Sequence, residues 1–132
     1  MSQLLEMVVL VQLGRNKMIV EGKDIYAFVV GCIKVQEENI QHLLKFQNQI
    51  LQKMKGLKES SEDYKKLKNA RKNAKIAISE SKEKIEKLEN AISIVEAVYS
   101  KLGVEFAIDE TELNNRIDRI FKEEDENGIQ NK

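Results

Sequence analysis

The 132-residue chain contains no proline and no tryptophan, a single cysteine, a single histidine and six glycines. Aromatic residues make up only 5% of it, and its 22 basic side chains balance 22 acidic ones. Each shortage excludes something. Without proline there is no Pro-rich linker and no collagen-like repeat, and the strongest helix breaker is missing. One cysteine, Cys32, allows no intrachain disulfide and fits a reducing compartment. Few aromatics imply a thin aliphatic core. The longest apolar run, Ile25 to Ile33, has nine residues and contains Gly31, whereas a membrane span needs about 20. The opening residues lack the positive start of a signal peptide. These features predict a cytoplasmic chain with no membrane partner, folded as one domain over 1–132.

What is present is helical rhythm. From Tyr64 the chain places Leu67, Arg71, Ala74, Ile78, Ser81, Ile85, Leu88, Ile92, Val95, Tyr99 and Leu102 at alternating steps of three and four. Such an unbroken seven-residue repeat marks a coiled-coil seam. At about 1.5 Å per residue it predicts a helix over 62–102 roughly 60 Å long. The charges between seam positions, Glu80 and Lys82 to Lys84 among them, form a solvated face. Arg71 and Ser81 are polar within the seam, where such residues set register at some cost in stability. An apolar stripe on so polar a helix requires burial. The expected oligomer or helix-packing seam is Leu67, Ile78, Ile85, Leu88, Ile92, Val95, Tyr99 and Leu102.

Upstream, a second amphipathic pattern predicts a helix over 24–57, with Asp24 at its start and Gly56 as a C-terminal cap. Residues 25–35 suit either a buried strand or a helix, and the continuity of the pattern favours helix. Leu5 to Leu13 and Lys17 to Glu21 are β-branched runs around Gly14-Arg15-Asn16, which predicts a β-hairpin over 1–23. Ser60 or Ser61 suits the start of the long helix. Beyond Gly103, Val104 to Ile108 reads as a short extended piece, and Asp109 with Glu112 as a capping box opening a helix over 109–124. Residues 125–132 read as a frayed tail. The fold class expected is therefore mainly α: a long helical hairpin or coiled coil, a small N-terminal β-hairpin and a short C-terminal helix.

No grouping with the spacing of a catalytic or metal site occurs. His42 is the one candidate base and has no nucleophile placed beside it. The neighbouring carboxylates Glu37-Glu38 and Glu123 to Glu126 diverge from a helix surface, whereas functional carboxylates must converge from separate elements. No phosphate-cradling GxxxxGK[ST] loop is present. Cys32, flanked by Val29, Val30 and Ile33, reads as a packing residue. We therefore expect no enzyme, no cofactor and no metal.

The exception to blandness is charge placement. Residues 1–57 carry 7 basic and 5 acidic side chains, 58–103 carry 11 and 8, and 104–132 carry 4 and 9. Lys65, Lys66, Lys68, Arg71, Lys72 and Lys75 lie together with no acid among them. Lys65, Lys68, Lys72 and Lys75 share a helical face about 15 Å long. The acidic C-terminal segment can neutralise this stripe within or between chains. A basic stripe directly preceding heptads resembles, in layout, the basic-zipper DNA readers. That resemblance implies phosphate contact by Lys65, Lys68, Arg71, Lys72 and Lys75; the charge pattern itself reads first as a solvated or internally paired face, with an acidic protein as a further partner. The leading expectation is a non-enzymatic protein that packs with itself as a dimer or higher assembly and with a protein partner. An adaptor, a scaffold or a small inhibitor from a bacterial, phage or mobile element would all fit it. A nucleic-acid-binding regulator is the alternative.

Overall fold

The computed structural model describes the backbone of residues 2–130 and the side chains of residues 16–122 apart from Met18. Among the described residues the chain is mainly helical, with three helices and no strand: α1 (Ser2–Met54), α2 (Glu62–Lys101) and α3 (Glu110–Gln130). Residues 25–35 lie within α1 and are helical.

The β-hairpin expected over 1–23 falls mainly on residues whose side chains lie outside those described. Lys17 to Glu21, expected as the second strand, lie within α1, and Lys17 Nζ is 3.9 Å from Glu21 Oε1 one turn further on. The frayed tail expected over 125–132 also falls where side chains are not described.

Helix ends follow local hydrogen bonding. Ser61 rather than Ser60 caps α2: its Oγ accepts from the Tyr64 amide at 3.2 Å and donates to the Lys58 carbonyl at 2.7 Å. This supplies an acceptor for one of the donors that a helix start leaves without a partner. At the far end of α2, Gly103 adopts φ 67°. The Val104 amide reaches the Tyr99 carbonyl and the Gly103 amide reaches that of Ser100, both at 3.1 Å. That pair of bonds is the Schellman arrangement, whose left-handed residue favours glycine. Gly56 plays no such part. It lies in the turn after Met54, where the Leu57 amide bonds the Met54 carbonyl at 3.1 Å, and it keeps negative φ. Asp109 caps α3 through Oδ1 and the Glu112 amide, 2.8 Å apart.

The chain divides into two compact units, 1–31 with 90–132 and 32–89. In the second unit the end of α1 and the start of α2 form an antiparallel pair joined by the turn that Ser61 closes. Ile50, Met54, Ala74, Ile78 and Ser81 are buried. The Asn39 side-chain amide donates to Ser81 Oγ at 3.0 Å, and that of Gln47 to the Arg71 carbonyl at 3.5 Å. Ser81, 3% exposed, thus has a partner across the pair.

In the other unit, α1 meets the last turns of α2 and, among the described residues, α3 from Glu112 to Phe121. Ala27, Val29 and Tyr99 are buried. Phe106, from the piece expected to be extended, stacks on Tyr99 at 4.9 Å and meets Tyr26 edge-on at 5.4 Å. Phe28 stacks on Phe121 at 6.0 Å. Two glycines of α1 make room for these rings. A Cβ on Gly22 would lie 1.6 Å from Tyr99 Oη, and one on Gly31 would lie 2.1 Å from Phe121 Cε2.

Candidate functional site

Beginning with the seam, Leu67, Ile85, Leu88, Ile92 and Val95 are half-buried, and Ile78 and Tyr99 are buried. Leu102 is the exposed member at 52%. The seam thus packs largely within the chain, against α1 in each unit. A different set of apolar residues is left at the surface. Ile94 is 64% exposed and Val98 is 49% exposed, and together with Leu102 they stand one turn apart on the same side of α2. Ile94 and Val98 lie beside the heptad positions, and Leu102, just past the end of α2, is itself one of them. The signal for it was present as i, i+4 and i+8 spacing, but the stronger seam adjoining it masked that signal.

The second surface is the basic stripe. The structure places Lys65, Lys68, Arg71, Lys72 and Lys75 around one open groove of about 810 Å³ in the 32–89 unit. Leu44, Gln47, Asn69 and Ile78 complete the lining. Leu44 is 41% exposed and supplies an apolar side chain that the charge pattern of α2 alone did not reveal. All five basic side chains are exposed, and among the described residues none of them makes an ion pair. No aromatic residue lines the groove.

The third feature is an ion network in the 1–31/90–132 unit. Arg116 Nη1 and Arg119 Nη2 both donate to Asp24 Oδ1, at 2.6 and 2.8 Å. Glu112 Oε1 accepts from Lys23 Nζ at 3.1 Å and from Arg116 Nη2 at 3.0 Å. Of the expected capping box only the Asp109 half is seen, and the Glu112 carboxylate instead bonds Lys23 and Arg116, tying α3 to α1. Hydrogen bonds from Lys23 and then Arg116 hold its carboxyl below the ordinary carboxylate value. Burial opposes the charge of Arg116, but its bonds to Asp24 and Glu112 outweigh that and hold its pKa above the usual guanidinium value. Asp24, expected as a helix start, lies inside α1 and binds these arginines.

His42, Glu37 and Glu38 are exposed on α1, and Cys32 is half-buried. Among the described residues no three His, Cys, Asp or Glu side chains converge as a metal site needs, and no helix is long and apolar enough to cross a membrane. No protein-family model matches the chain, and comparison with curated proteins and with solved structures returns no significant match.

Proposed function

We propose that this chain is a non-enzymatic, cytoplasmic helical protein that works by self-association and by binding a protein partner, as an adaptor, scaffold or small inhibitor. The observation that carries this reading is the stripe of Ile94, Val98 and Leu102, each about half or more exposed on α2. Fully burying such a side chain contributes about 1.5–3 kcal/mol, so covering the remaining half contributes roughly 1 kcal/mol each. A two-fold pair of stripes then gains about 6 kcal/mol, against an association cost of about 4–15 kcal/mol. At the low end of that cost the stripe leaves about 2 kcal/mol, so a dimer at micromolar concentration needs roughly 6 kcal/mol more from contacts that flank it. Light scattering coupled to size-exclusion chromatography tests this: the mass should rise with loading concentration, and a cooperatively folded monomer at every concentration would refute it.

A second reading, nucleic-acid binding, is favoured by one observation. The five basic residues of the groove are exposed and make no ion pair among the described residues. Lysines of this kind neutralise phosphates without reading bases. Steep loss of oligonucleotide affinity with salt would support it. Salt-insensitive or absent binding would dismiss it.

A further inference from the structure

We propose that the groove of the 32–89 unit is the docking site for an acidic amphipathic helix of a partner protein. This deepens the protein-binding part of the function proposed above and rests on it, but it uses a different surface from the Ile94 stripe. Three features select the occupant. First, Lys65, Lys68, Lys72 and Lys75 recur at steps of three, four and three on exposed α2. They span about 15 Å, and a helix laid alongside presents carboxylates at the same i, i+3, i+7 intervals. Second, these charges line the groove together with the apolar Leu44, which is 41% exposed, and Ile78. An apolar residue from the occupant gains by covering Leu44, while the hydrated lysines steer encounter and fix register. Third, the groove is open and has a volume of about 810 Å³, room for several side chains of a docked segment.

The same features disfavour a nucleic acid. Single-stranded bases need aromatic platforms, and none lines the groove. Bidentate base recognition favours arginine, and Arg71 is the one arginine there. The chain as a whole is neutral, and residues 104–132 carry 9 acidic against 4 basic side chains. The long-range field that draws a polyanion is therefore weak. A docked helix also gains the local apolar contact on Leu44, so it needs less of that field than a polyanion does.

The test is fluorescence anisotropy on the full chain with a labelled synthetic peptide. The peptide carries glutamates at i, i+3 and i+7 beside a leucine stripe, and a shuffled peptide of identical composition lacks the helical periodicity. At the low end of interface size a micromolar affinity is expected, and about tenfold weaker binding of the shuffled peptide. The same loss is expected from the variant K65E/K68E/K72E/K75E, with the corresponding Lys→Gln variant intermediate. Far-UV circular dichroism confirms that each variant is folded, and Leu44→Gln should weaken the peptide alone, by several-fold. Equal binding of the shuffled peptide, no binding of either, or displacement by a duplex oligonucleotide with steep salt dependence would overturn the proposal. So would a fall in oligomer mass in the charge-reversed variant, which would make a second copy the occupant. An unchanged mass with lost peptide binding supports the groove and leaves self-association to its own test.

Discussion

Replacing Gly22 with alanine probes the packing of the 1–31/90–132 unit at its tightest point. The new methyl would sit 1.6 Å from Tyr99 Oη and 2.3 Å from Cζ, where an uncrowded contact needs about 3.5 Å. Tyr99 cannot simply swing away. It is 5% exposed and stacks on Phe106, which also meets Tyr26. Overpacking of this kind costs about 1–3 kcal/mol, and disturbing the stack adds up to about 1 kcal/mol. Against this stands the intrinsic gain of alanine over glycine inside a helix, about 1 kcal/mol. With an overlap this severe the upper half of the overpacking range applies, and the net expectation is a destabilisation of about 1–3 kcal/mol, or a fall in Tm of about 3–15 °C for a chain of this size. Urea and thermal unfolding followed at 222 nm measure it. Gly56→Ala is the internal control. Its nearest neighbour is the Lys53 carbonyl at 4.0 Å, and its effect should stay within about 0.5 kcal/mol. A Gly22→Ala protein as stable as the wild type would refute the claim that Tyr99 fills that space, and with it the packing described for this unit.

Two further expectations concern polar groups. Because hydrogen bonds from Lys23 and Arg116 lower the Glu112 carboxyl, the unfolded chain takes up that proton first on acidification. The contribution of Glu112 is therefore fully present above the ordinary carboxyl value of 4.5 and lost as pH falls through its depressed folded value. Urea midpoints from pH 7 downward should decline more steeply for the wild type than for Glu112→Gln, and parallel curves would contradict the network. In the 32–89 unit, Ser81→Ala removes the acceptor of the Asn39 amide. Asn39 is exposed and turns to water, so the loss should be about 0.5–1.5 kcal/mol; a loss above about 3 kcal/mol by chemical denaturation would mean that Ser81 supports more than this one bond.

How far the sequence reveals this molecule differs by element. The three-and-four rhythm from Tyr64 to Leu102 marks a helix because heptad spacing has no strand equivalent, and α2 runs from Glu62 to Lys101. Lys17 to Glu21 is harder. Its β-branched residues favour a strand locally, yet it lies in α1 immediately before Gly22, whose missing side chain admits Tyr99. Nothing local announces a ring arriving from 77 positions further along the chain. The basic stripe is legible from charge alone. Its groove is not, because Leu44 comes from another helix, and periodicity within one helix carries no information about its neighbour. For the same reason the seam suggests an intermolecular surface, although much of it packs against α1 within the chain. The apolar surface left open, Ile94 with Val98, adjoins the heptad positions and is evident only once their burial is known.

Sedimentation equilibrium across the micromolar range decides whether the chain associates through the exposed stripe of Ile94, Val98 and Leu102. The wild type should pass from 15.2 kDa toward twice that mass as concentration rises, while a variant with serine at Ile94, Val98 and Leu102 stays at 15.2 kDa with unchanged helicity. A wild type that remains at 15.2 kDa throughout, or a triple variant that associates equally well, would contradict association through that stripe.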